Sequence, residues 1–453
     1  MAGEAAILGL DADEMRARLA TGALRSVELA HACLSRIREV EPQVRAWAWL
    51  DEGHITAEAE RLDALRALGR AIGPLHGLPV ALKDIIDTAR IPTENGCTLD
   101  AGRVPVADAW VVRRLKAAGA LIMGKTVTTE LAYLHPGKTR NPVNPGHTPG
   151  GSSQGSAAAV ASGMVPLALG TQTGGSVIRP AAYCGCVGFK PSFGAIPRTG
   201  ILTQSPSLDT VGVFASSVEG AALLAEVLFG DDPADPATSP APPPRLFETC
   251  MARPPLPPVF ALLPHPPGAE PEPEMAGAFA ELTAFLGEQG FEFALPGLFD
   301  GAAEVRERIN FAEMAKCYYN YERRGWDSLS PETRAAMEKG RATPARDYIA
   351  ALDWFGILNA ALDEVFDRCD AILTPATPGP APMGLSSTGS AIYNGVWTLC
   401  GTPSVTLPLF TAGNGLPMGT QLIGRRGDDA RLLRTARWLW QQVTTPARET
   451  QDA

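Results

Sequence analysis

Positive charge, histidine and aromatic rings are all scarce in this chain. Lysine and arginine number 39 against 49 aspartates and glutamates, a formal net charge of -10, and no Lys/Arg-rich block interrupts that balance. A general nucleic-acid-binding surface or a face for anionic membranes needs the opposite sign, so neither partner is expected. No run reaches the ~18 apolar residues that a membrane span requires. The stretch MAGEAAILGLDADEM carries acids and lacks the basic start and sustained apolar core of a signal peptide, which predicts a cytoplasmic protein. Eight cysteines are scattered at 33, 97, 184, 186, 250, 317, 369 and 400, and only Cys184-Gly185-Cys186 is close-set. A C-x-C pair without a second Cys/His pair makes a poor zinc site, so buried reduced thiols are expected. His135 and His147 share one loop without further ligands at suitable spacing, and ordinary hydrogen bonds are their expected role. Neither a metal site nor an internal repeat is expected.

What is present is a globular composition, 45% hydrophobic and 19% charged, in 453 residues, enough to bury a large core. Asp11 to Trp47 reads as two helices, with Ser26 as a candidate N-cap and Leu29, Cys33, Ile37 and Val40 at helical spacing. Leu62 to Leu68 keeps that spacing until Gly73-Pro74. Leu78 to Ile86 is a short apolar, strand-like run into which Lys83 and Asp84 intrude. A lysine there is costly unless it pairs with Asp84 or Asp87, snorkels, or loses its proton. An amphipathic helix from Val111 then leads into a strand at Ala120 to Lys125, the rhythm of an α/β sheet. A strand at Val211 to Phe214 and a helix at Val218 to Leu228 complete a first half. Asp231 to Pro258, crowded with proline, alanine and acids, reads as an exposed connector. Beyond it come a strand at Val259 to Leu263, a helix at Met275 to Leu286, and a helical, tyrosine-rich stretch at Val305 to Trp326. A strand at Ala371 to Pro375, two more at Val405 to Pro408 and Gly419 to Gly424, and a helix at Asp428 to Val443 follow. The predicted organisation is a catalytic half over about 1–230, the connector over about 231–258 and a C-terminal half over about 259–453.

The chemistry concentrates between Thr148 and Pro191. Two glycine-serine clusters, Gly150-Gly151-Ser152-Ser153 and Gly174-Gly175-Ser176, flank an uncharged run, Ala157 to Met164, fit for a tightly packed helix. A flexible linker would not enclose so apolar a helix. Glycines this dense serve conformations and close approaches that a side chain would block. In Thr173-Gly174-Gly175-Ser176 they let consecutive N–H groups point into one small space, as an oxyanion site requires, with a serine at the end of the turn.

These residues resemble the amidase signature family of serine hydrolases. The matching pieces are G-G-S-S-x-G-S-A-A-A-V-A from Gly150, G-T-x-T-G-G-S from Gly170 and C-G-x-x-G-F-K-P from Cys184. The likeness extends to Gly77-Leu78-Pro79 through Lys83-Asp84, to Ser207-Leu208-Asp209-Thr210-Val211-Gly212 and to Gly401-Thr402-Pro403. It is weak from about Asp231 to Thr343. The resemblance implies a single large α/β/α domain around a central mixed, twisted sheet. It also implies a Ser-cisSer-Lys site: Ser176 as nucleophile, Ser152 as relay after a cis Gly151–Ser152 bond, and Lys83 as base. The amides of Thr173, Gly174, Gly175 and Ser176 would form the oxyanion hole, and neither cofactor nor metal is called for. A serine needs a neighbouring base, and lysine supplies one when desolvation lowers its pKa.

Two departures bear on substrate. Gln172 stands where the family usually has aspartate, and in Ser176-Val177-Ile178-Arg179-Pro180 the arginine is one residue out of the usual register for holding a substrate carboxylate. With no basic cluster beside Ser176, the expected substrate is a neutral amide or carbamate with an aromatic part. Tyr133, Tyr318, Tyr319, Tyr393 and Trp397 are the candidate pocket walls, and a homodimer is compatible with this reading. The alternatives are a small-urea hydrolase of the allophanate type, the catalytic subunit of a glutamyl-tRNA amidotransferase, and a non-catalytic scaffold. The intact Lys83, Ser152 and Ser176 weigh against the last.

Overall fold

In the computed structural model, which describes residues 2–445, eleven strands form one sheet. They are β1 (Trp47–Leu50), β2 (Pro79–Lys83), β3 (Leu121–Thr126), β4 (Leu167–Gln172), β5 (Val187–Lys190), β6 (Thr210–Ala215), β7 (Phe260–Leu262), β8 (Gly290–Glu292), β9 (Ala371–Pro375), β10 (Ser404–Thr411) and β11 (Pro417–Ile423). Their order across the sheet is β1-β3-β2-β4-β6-β5-β10-β11-β9-β7-β8. Strands β3, β2 and β4 run parallel, as do β9, β7 and β8, and antiparallel pairs join these blocks. This is the mixed α/β sheet expected from the sequence. Strands β2, β3, β4 and β6 are buried at every position, which is why they read as apolar runs: helices cover both faces.

The register of the parallel block places the chemistry. Leu82 lies opposite Leu169, so Lys83 at the end of β2 and the turn after Gln172 emerge at the same, carboxyl edge of the sheet. Loops at that edge of a parallel sheet are where ligands are usually met. Helix Gln154–Ala161 packs directly on the sheet because its residues are small. A Cβ at Gly155 would come within 2.2 Å of the Ala46 carbonyl oxygen.

Several expectations need correction. Trp47 starts β1 rather than ending a helix, and the central helix covers Gln154–Ala161 instead of starting at Ala157. The connector is not simply exposed: it contains helix Leu246–Met251, whose Leu246 and Cys250 are buried. Asp235 is also held there by Arg198 through three bonds of 2.7, 2.8 and 2.9 Å. The helices Pro331–Ala342 and Ala345–Phe366 and the short edge strand β8 were not anticipated. Val305 to Trp326 divides into helices Ala302–Cys317 and Tyr319–Gly325. All eight cysteines are unpaired, seven of them buried. No helix among the described residues is long and apolar enough to cross a membrane.

Candidate functional site

Lys83 is fully buried, and its Nζ donates to Ser152 Oγ at 2.7 Å and to Thr171 Oγ1 at 2.9 Å. No carboxylate lies within ion-pair distance among the described residues. Burial drives its pKa from 10.5 down to about 7, and the more remote charge of Asp209 works against that fall. The salt-bridged alternative raised by the sequence belongs to a different lysine: Lys125, on β3, stands 3.8 Å from Asp84.

Ser152 follows a cis peptide bond from Gly151. The loop before it is fixed from two sides. Gly150, at a φ of +81°, lies against helix Ile178–Cys184, where a Cβ would meet Pro180 Cα at 2.8 Å. The Gly151 carbonyl accepts from Arg179 Nη2 at 2.6 Å, and Nη1 of the same guanidinium donates to the Gly389 carbonyl at 2.6 Å. Arg179 therefore ties the Ser152 loop to the helix that begins just after Ser176. Ser153 bridges to β4, donating to the Thr171 carbonyl and accepting from the Thr171 amide.

The turn Thr173-Gly174-Gly175-Ser176 presents four consecutive amides that have no acceptor among the described residues. Its carbonyl side is held instead: Thr398 Oγ1 donates to the Gly174 carbonyl at 2.8 Å, and Gln172 Nε2 donates to Thr398 Oγ1 at 3.0 Å. Gln172 Oε1 accepts from the Val177 and Ile178 amides, so this neutral side chain fastens the turn to the following helix. Thr173 Oγ1 donates to Asp209 Oδ1 at 2.6 Å. Ser176 Oγ has no hydrogen-bond partner among the described residues and faces a cavity of about 390 Å³. Unbonded amides in a turn that lines the cavity beside a serine hydroxyl can bind an oxyanion developing there.

The walls of that cavity differ from those expected. Of the five candidate aromatics, only Tyr133 lines it. Tyr318, Tyr393 and Trp397 are wholly buried in the packing behind it, and Tyr318 donates to the Leu131 carbonyl. Tyr319 is on the surface, 53% exposed, with Arg323 over its ring. In their place stand Phe299 and Phe311 together with a polar group: Gln204, Asn310, Glu307 and Arg306. Arg306 comes from helix Ala302–Cys317, and a Cβ on Gly174 would stand 3.3 Å from its Nη1. Its guanidinium makes no hydrogen bond among the described residues, and its nearest carboxylate, on Glu307, is 3.7 Å away. A basic group does flank Ser176. It was invisible beside the serine in sequence because another helix supplies it. A signal existed: Arg306, Asn310 and Glu313 recur at helical spacing next to the apolar Ala302, Val305 and Ile309.

His135 meets Glu332 on the surface and His147 Nδ1 meets the Ala381 carbonyl at 2.8 Å. Among the described residues no group of three His, Cys, Asp or Glu side chains is placed to hold a metal ion.

Comparison with known proteins agrees with this arrangement. A family model described as Amidase matches residues 28–433. The glutamyl-tRNA(Gln) amidotransferase A-subunit of Chloroflexus aggregans is 34% identical over 464 aligned positions, covering 94% of each chain. Among solved structures, one reported as an unexpected vestigial protein complex that reveals the origins of an s-triazine catabolic enzyme superposes with a TM-score of 0.88 at 28% identity. It covers 96% of this chain and 98% of its own. A peptide amidase from Stenotrophomonas maltophilia gives 0.81 at 28% identity, over 96% and 97% of the two chains.

Proposed function

From the premise that the chain belongs to the amidase signature family, and so is an enzyme of carbon–nitrogen bonds, we propose that it cleaves small polar amides or ureides through an acyl-enzyme on Ser176. Lys83, held as the free amine by its apolar surroundings, takes the proton of Ser152, which takes that of Ser176 as the hydroxyl attacks the carbonyl carbon. The amides of residues 173–176 receive the negative charge on the carbonyl oxygen. On collapse the relay returns the proton to the departing nitrogen, and water repeats the sequence to release the acid.

The observation that carries the substrate reading is Arg306. A largely buried guanidinium that makes no hydrogen bond among the described residues, and whose one ion-pair partner, Glu307, stands 3.7 Å away, is an invitation beside the reactive turn to a carboxylate or similar oxygen pair. Glutamine and carboxylated ureas offer such a group near the scissile bond. The amidotransferase relatives favour this family of substrates, and since each of them is one chain of a larger enzyme they favour a partner chain for this one too. The neutral aryl amide or aryl carbamate reading keeps one support, the rings of Tyr133, Phe299 and Phe311 on the cavity wall.

The test compares kcat/KM for glutamine, a carboxylated urea, a neutral anilide and an aryl carbamate in the wild type and in Arg306→Gln. A carboxylate-bearing substrate should lead in the wild type and lose roughly 100-fold in the variant, as expected for a charge-assisted contact worth about 3 kcal/mol. Preference for the anilide or aryl carbamate, unchanged in Arg306→Gln, would return the assignment to aryl substrates.

A further inference from the structure

Asp209 is the one buried carboxylate bonded to the reactive turn among the described residues. It precedes β6, and because Gln172 pairs with Thr210 across β4 and β6, its side chain meets Thr173 just beyond the end of the ladder. One oxygen accepts from Thr173 Oγ1 at 2.6 Å; the other accepts from the amides of Gln204 at 2.8 Å and Ser205 at 2.9 Å. Gln204 lines the cavity, and its Nε2 donates to Asn310 Oδ1 at 3.0 Å, another cavity residue. Gln172, next in the chain to Thr173, is neutral, so the negative charge beside the turn comes from Asp209.

We propose that Asp209 is a positioning residue that sets the oxyanion turn through Thr173, sets the cavity wall through Gln204, and tunes Lys83 by its charge. No lysine or arginine makes an ion pair with it among the described residues; Arg198, whose Nη1 donates to the Asp209 backbone carbonyl at 3.0 Å, offsets its charge only in part. The ionisable groups that feel its charge are Lys83, which lies beyond ion-pair distance, Arg198, Cys317 and Tyr318. Arg198 is itself occupied by Asp235, and Glu313 is bonded to Ser207. Burial lifts the Asp209 carboxyl to about 6, below the value of about 7 for Lys83. Between those values the carboxylate faces an ammonium and holds its proton on; above them it faces the free amine. Removing the charge must therefore lower the pKa of Lys83 further and free the amine at a lower pH.

This inference rests on the Lys83–Ser152–Ser176 reading, so its test uses a probe that needs no known substrate: the rate of fluorophosphonate labelling of Ser176 from pH 5 to 9. In the wild type the rate should rise with an acid limb near pH 7. Asp209→Asn should move that limb down by roughly one pH unit and lower the plateau roughly tenfold or more. Thr173→Val, which keeps the charge but breaks the bond to the turn, should lower the plateau roughly tenfold and leave its limb above that of Asp209→Asn. A carboxylate with only a folding role would leave the limb in place, and an unmoved limb in Asp209→Asn overturns the proposal. Should that variant not fold, Thr173→Val labelling at the wild-type rate overturns it as well. A wild type that does not label at Ser176, or labels without pH dependence, removes the catalytic reading itself and is distinguishable because no variant is involved.

Discussion

Lys83 shows how a single position joins stability to chemistry. Its Nζ has two hydroxyl partners and no carboxylate within ion-pair distance among the described residues, so the folded chain releases its proton near pH 7 whereas the unfolded chain holds it up to 10.5. Between those values the unfolded state binds more protons, and stability contributed by this group rises with pH. Lys83→Met should be the more stable protein at pH 7 and below. The wild type should then close the gap as pH climbs toward 9, by up to about 1.4 kcal/mol per pH unit. Denaturant midpoints of the two proteins across pH 6–9 check this; a constant difference would mean the lysine is not buried as a free amine. In sequence Lys83 was conspicuous as a charge inside an apolar run, but local pattern favoured a paired or snorkelling lysine, and only the family resemblance pointed to a base. What decides between them, burial with no carboxylate within ion-pair distance among the described residues, is a fact of three dimensions.

At the level of elements, the reactive turn owes its shape to what lies behind it. Helix Ile392–Leu399 presses Asn394 and Thr398 against the turn, and a Cβ on Gly175 would fall 2.5 Å from Asn394 Oδ1. Gly175→Ala should push the amides out of line and lower the acylation rate roughly 100-fold, the scale of one lost oxyanion donor. Circular dichroism should show the fold retained, and a near-normal labelling rate would show that the turn has slack. The glycine clusters and the helix between them were legible because close packing demands small residues in a row. The β2, β3 and β6 strands were legible because burial on both faces leaves mainly apolar residues, whereas β4, which ends in Thr171 and Gln172 inside the motif, was not read as a strand. Helices Pro331–Ala342 and Ala345–Phe366 escaped although Ser330-Pro331, an N-cap followed by proline at the first helical position, marks the start of the first and Pro344 the start of the second. Edge strand β8 has three residues, too short for alternation to register.

Across the whole molecule, the two parts of the chain share one sheet, with β10 and β11 from the second part lying between β5 of the first and β9. This is why the substrate wall could not be read beside the nucleophile. Ser176, Ser152 and Lys83 come from the motif-rich first part, whereas Arg306, Asn310, Phe299 and Phe311 come from the part where the resemblance fades. Tyr318, Tyr393 and Trp397 were plausible walls by composition, but all three are buried, Tyr318 in a cluster with Cys97, Leu131 and Met314 and Trp397 in the core of the second part. The whole relay depends on Lys83 as its base. The most direct measurement is the pH dependence of Ser176 fluorophosphonate labelling in the wild type and Lys83→Ala, with Ser176→Ala as the control for site. The wild-type rate should rise through about pH 7 and level off, while Lys83→Ala should fall at least ~100-fold and lose the limb. A Lys83→Ala protein that labels at the wild-type rate with the same limb would contradict the mechanism outright.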